Sequence, residues 1–212
     1  MKIINDVFSK LKQAKSIEDV TCILNELSIE EKYHMDEKSY PQIQFVISKD
    51  EIEKLRREEL LTEDFLVGDV SNQNALTKLL YSIIWKNGDL KKVRHIIEGI
   101  VSDDSNSKNK ALVFHQFGKH LANKESEPII DQHVLRSFGI YKALKNNNQQ
   151  EIERLSLLSV VTKKEIDIIN CYKKWLNDGL NAELRSCKNY MYHVDKVLFA
   201  IGKKVKSERI KA

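Results

Sequence analysis

The residues best placed to do chemistry lie in one run, Pro128-Ile129-Ile130-Asp131-Gln132-His133-Val134-Leu135-Arg136. Pro128 presets the entry to a helix. Asp131 then falls near the first turn, where free backbone N–H groups and the helix dipole favour a carboxylate. Read from these residues alone, Asp131 is a helix N-cap. A carboxylate at that spot can also stabilise a positive charge developing on a sugar, or activate an attacking group. His133 stands about 200° further round the helix than Asp131. It is therefore no dyad partner, and is expected to pack or hydrogen-bond internally.

A second group lies just upstream, in Phe117-Gly118-Lys119-His120-Leu121-Ala122-Asn123. An amine such as Lys119 becomes a nucleophile where burial or a nearby cation lowers its pKa. His115 and His120 miss the i, i+4 spacing of a helical metal pair. The three cysteines, Cys22, Cys171 and Cys187, are scattered and form no CxxC pair. No metal or other cofactor is expected, and a reducing, cytoplasmic compartment is the simplest fit.

The elements that must position these residues read as helices. Only two prolines and seven glycines occur among 212 residues, which favours long helices over many short strands. Apolar spacing predicts a helix over residues 3–14 and a second one capped by Ser16. Ile43-Gln44-Phe45-Val46-Ile47 reads as either a strand or a buried extended segment. Ser48 with Glu51, and Thr162 with Glu165, read as capping boxes. Residues 61–74 read as a loop. Leu76, Leu79, Leu80, Ile83 and Ile84 then mark a helix that stops at Asn87-Gly88. Further helices are expected from Leu90, over 111–123, after Pro128, and over 181–204, with a polar loop at 102–110. No βαβ alternation is visible, so the fold class is all-α: a multi-helix domain with an N-terminal region, 1–70, and a second region, 71–212.

Charge and length exclude several classes. The net charge of +4 is mild, and only clustering would make it a binding field. Clustering occurs at the end, where Lys203, Lys204, Lys206, Arg209 and Lys211 face the single acid Glu208. That tail reads equally as a phosphate contact or as a solvated helix end. No apolar run approaches a membrane span, so no membrane partner is expected.

Ile130-Asp131-Gln132-His133-Val134-Leu135-Arg136 resembles the V-D-T-H-V-x-R element of the helix-hairpin-helix base-excision DNA glycosylases, the endonuclease III and 8-oxoguanine glycosylase superfamily. The segment around Gly118 and Lys119 is similar to that family's G-x-G-x-K-T-A-N stretch, with Gly118 as its one glycine. Ile84-Trp85-Lys86-Asn87-Gly88-Asp89-Leu90 and Val194-Asp195-Lys196-Val197-Leu198-Phe199-Ala200-Ile201-Gly202-Lys203 resemble stretches of relatives of the 8-oxoguanine glycosylase fold. The resemblance covers residues 75–204.

It implies two helical lobes around a cleft, DNA as partner, and cleavage of the N-glycosidic bond of a damaged or modified base. By the resemblance Asp131 is the catalytic carboxylate and Lys119 the Schiff-base nucleophile of a lyase step. Gly118, Trp85, Asn87, Asp89, His133, Arg136, Tyr190, Lys196 and Lys203 are its candidate DNA or substrate contacts. Such an enzyme extrudes its base into an aromatic or apolar pocket, for which Trp85, Trp175 and Tyr190 are the candidate walls. Repair, or defence against modified foreign DNA, would be the setting. The alternative is a member without catalysis that binds nucleic acid or a protein partner, because the paired glycines that let backbone N–H groups approach phosphate are missing. A helical ribonuclease with an Arg-x4–6-His motif fits less well, since Arg185 and His193 are spaced too widely.

Overall fold

The computed structural model describes residues 2–102 and 111–211. In chain order the helices are α1 (Lys2–Gln13), α2 (Ile17–Glu26), α3 (Lys49–Arg57), α4 (Ala75–Lys86), α5 (Leu90–Val101), α6 (Leu112–Ala122), α7 (Gln132–Lys145), α8 (Gln149–Ser156), α9 (Ile166–Asp178), α10 (Ala182–Ser186) and α11 (Tyr190–Lys211). Two short 3₁₀ turns, Glu31–Tyr33 and Lys163–Glu165, supplement them. Among the described residues no β-strand forms, and the chain is all-α as expected. One isolated antiparallel bridge, Leu61 to Val67, closes the loop before α4.

Local chemistry sets the helix starts. Ser48 and Glu51 cap α3 reciprocally, and Thr162 and Glu165 do the same before α9. Ser16 and Asp19 form a third such box at α2. Asn87 and Gly88, the latter at φ +70°, stop α4. One open reading is settled and one expectation is corrected. Ile43–Ile47 is the extended segment and not a strand: Ile43 and Ile47 turn inward, the Ile47 N–H donates to the Leu121 carbonyl at 2.9 Å, and Phe45 and Val46 face outward. The helix expected over 181–204 is broken after α10, where Asn189 takes φ +61° and α11 starts afresh. The polar loop expected at 102–110 lies, from residue 103 on, outside the described residues.

The chain divides into two units, one of residues 1–42 with 130–212 and one of residues 43–129. The division falls at 42/43 and 129/130. In the discontinuous unit, α7 is the central helix, buried on nearly every face from Val134 to Tyr141. An aromatic cluster surrounds it: Phe8 stacks on Tyr141 at 3.9 Å, and Phe138 meets Tyr172 at 5.1 Å and Trp175 at 5.6 Å. The contiguous unit has a smaller core of Ile52, Leu61, Ile97, Ile100 and Leu121. Its tightest contact joins α5 to α6. A Cβ on Gly99 would stand 2.0 Å from the His115 carbonyl oxygen, and one on Gly118 would stand 1.9 Å from that of Ile96.

Candidate functional site at the start of α7

Asp131 is the N-cap of α7. Its carboxylate oxygen accepts from the His133 backbone N–H at 2.6 Å, and the side chain remains partly exposed. The residue-level expectation of a cap is met. One lone-pair site of the carboxylate is used there, out of about four available.

The turn behind Asp131 is held rigidly by Arg136, which is fully buried. Its guanidinium donates to the Gly202 carbonyl at 2.8 Å, to the Leu158 carbonyl, and to His133 Nδ1 at 2.6 Å. Among the described residues no carboxylate bonds to it. Burial lowers its pKa to about 10, and the nearby Asp131 charge works against that shift. The expected DNA contact by Arg136 is thereby corrected: an inaccessible guanidinium tying α7 to α11 and to Leu158 cannot reach a phosphate. His133, partly buried, accepts from Arg136 and meets the Phe199 ring edge-on at 4.8 Å. Burial lowers its pKa, so the ring is held neutral beside the cation.

Two residues outside the expected set complete this region. Gly202 lets α11 lie against the first turn of α7, because a Cβ there would stand 2.0 Å from the His133 carbonyl oxygen. Asp195, on α11, is buried and accepts a hydrogen bond from the Tyr172 hydroxyl. Burial pushes its carboxyl up to about 8, and the Asp131 charge adds to the rise. Tyr172 is pushed well above the usual phenol range, first by burial and then by Asp195. A sequence signal for Asp195 existed: an acid between Val194 and Val197-Leu198 sits within an apolar run whose members are all buried.

The remaining expected residues scatter. Lys119 lies on α6 in the contiguous unit, and Asp131 lies in the other. Gly118 is a helix-packing glycine, its N–H inside α6, so it offers no phosphate cradle. Trp85 is 64% exposed on α4, Asn87 caps that helix, and Asp89 pairs with Lys92 at the start of α5. Tyr190 is buried, with its hydroxyl donating to the Leu176 carbonyl at 3.4 Å. Trp175 belongs to the aromatic core. Neither is a free stacking wall. Lys196 pairs with Glu37, and Lys203 lies over the Phe199 ring at 5.9 Å. Lys204 of the basic tail reaches Glu208 at 3.8 Å.

The histidines of α6 are structural. His115 is buried. His120 donates from Nδ1 to the Glu127 carbonyl at 2.6 Å, while Gln116 donates to the Glu127 carboxylate at 2.6 Å. Together they fasten the segment leading to Pro128 onto α6. Among the described residues no group of three or more His, Cys, Asp or Glu is placed to hold a metal. Comparisons with protein-family models, with curated proteins and with solved structures find no match for this chain.

Proposed function

We propose that this protein cleaves the N-glycosidic bond of a damaged or modified base in DNA, with Asp131 as its catalytic carboxylate. The observation that supports the reading is the pose of Asp131. It is partly exposed, oriented by one backbone N–H, and mounted on a helix start that buried Arg136 holds immobile. Catalysis by charge stabilisation needs this kind of preorganisation. In the reaction the C1′–N bond breaks as positive charge grows on the sugar, and the Asp131 carboxylate offsets that charge. Water then adds its oxygen to C1′, keeping one hydrogen as the new hydroxyl and giving the other to Asp131, which passes that proton on to the departing base. This is a monofunctional scheme that relies on Asp131 alone. A lyase step at Lys119 would be an addition to it, tested by borohydride trapping on an abasic duplex.

A second reading is a binding module without catalysis. Gly118 favours it, since its only visible use is to let two helices touch. One substitution separates the two readings. Asparagine caps a helix about as well as aspartate, so Asp131→Asn keeps the structural role and removes the charge. Purified protein is offered duplexes carrying uracil, 8-oxoguanine, an alkylated base or an abasic site. The expected result is base release from at least one duplex, reduced on the order of 100-fold or more in Asp131→Asn, with the helical circular dichroism of the folded protein unchanged. No release from any duplex, or equal release by the variant, refutes the catalytic role.

A further inference from the structure

The least accounted-for feature of the molecule is α4. Thr77, Tyr81 and Ile84 turn partly inward, yet no residue of this helix is buried. Leu76, Leu79, Leu80 and Ile83 are 64%, 58%, 51% and 50% exposed. They fall at i, i+3, i+4 and i+7, which is one continuous stripe along a helix. Folded chains seldom leave such a stripe to water, and one that persists marks a contact surface. It is distinct from Asp131, and nothing in its argument depends on the catalytic reading.

We infer that the stripe pairs with the same stripe of a second copy of this chain, α4 against α4 and antiparallel. Two observations favour a copy over an unrelated partner, and a third sets the strength of the pairing. The first is symmetry. A two-fold interface must be self-complementary, with residue i meeting j and j meeting i. An axis between Leu79 and Leu80 sets Leu79 against the partner copy's Leu80 and Leu76 against its Ile83, so aliphatic side chains of equal size meet throughout.

The second observation is charge. The charged residues of α4 are Lys78 and Lys86, with no acid among them. In that register Lys78 lies on the far side of the helix from the stripe, level with Tyr81 of the copy. Lys86 lies beyond the copy's Asn74, past its helix start. The lysines of α4 therefore never face each other, and the helix seam itself needs no acid to neutralise it. The third is area. Stable interfaces commonly bury about 800 Å² per partner. Four half-exposed aliphatic side chains supply less than that, which sets a weak, concentration-dependent dimer instead of an obligate one.

The test is sedimentation equilibrium of the full chain over a concentration series from about 1 μM to about 1 mM, spanning the weak range of association. Wild type should shift from monomer towards dimer mass. Leu79→Glu alone and Leu80→Lys alone should stay monomeric across the series, with helical circular dichroism unchanged because both positions face solvent. An equimolar mixture of the two variants should regain dimer, since position 79 of one chain faces position 80 of the other. Wild type that is monomeric throughout overturns the inference. So does a dimer that survives both variants, or a mixture that fails to recover. Monomeric wild type that co-sediments with vesicles of phosphatidylcholine and phosphatidylglycerol would assign the stripe to a lipid surface, and equally overturns it.

Discussion

Asp195 carries the clearest consequence of burial for a single residue. The unfolded chain releases this proton at an ordinary carboxylate pKa, whereas the folded chain holds it up to about 8. Folding therefore takes up a proton between those values. The associated stability is fully present below the unfolded pKa and is lost as pH rises through about 8. Buried His115 and partly buried His120 and His133 act in the opposite sense, because desolvation lowers their pKa values. Comparison with Asp195→Asn isolates the carboxyl. The urea midpoint of wild type should fall relative to that of the variant between about pH 4 and pH 8; parallel curves would show that the carboxyl is not desolvated in solution. Sequence made part of this region legible. Pro128 and the apolar residues after Asp131 announced a cap, because capping is decided within one turn. The burial of Arg136 was not legible, since its acceptors are Leu158 and Gly202, distant in the chain.

Between helices, the α5–α6 crossing is set by two glycines facing each other. The Cα of Gly99 stands 3.0 Å from where a Cβ on Gly118 would be. Gly118→Ala should cost about 1–3 kcal/mol or more, as overpacking does when backbone rather than a side chain must yield. Urea unfolding followed by circular dichroism measures this, and a loss below about 0.5 kcal/mol would mean that the crossing is loose. Helix starts at Ser48 and Thr162, and the stop at Gly88, were readable because three or four neighbouring residues decide them. The break before α11 was missed because apolar spacing continues across it. Asn189, a residue type that tolerates left-handed backbone, was its one local sign. The solvent exposure of α4 was equally hidden. Its residues spell a core helix, and only the placement of neighbouring elements shows that half of it has no cover.

The two units differ in how much apolar material they enclose. Among the described residues the contiguous one rests on five buried aliphatic side chains, whereas the discontinuous one has α7 and an aromatic cluster at its centre. Protection against opening follows buried contact density. Amides of α5 and α6 should therefore exchange with solvent deuterium through lower-energy openings than those of α7 and α11. Native-state hydrogen exchange with a denaturant series reads this directly, and equal opening energies would show that the chain unfolds as one cooperative body. The all-helical class was legible from composition and periodicity, because both are sums over the whole chain. The division was not, because residues 1–42 reach their partners only after an excursion of the intervening unit. That excursion also governs birth at the ribosome. Phe8, Ile4 and Leu11 leave the exit tunnel long before Phe138, Tyr141 and Trp175 exist to receive them. Residues 43–129 are translated as an uninterrupted stretch, free to collapse first, while the opening helices wait with their sticky side unsheltered. A stalled or truncated chain ending before α7 is thus the species most in need of a chaperone.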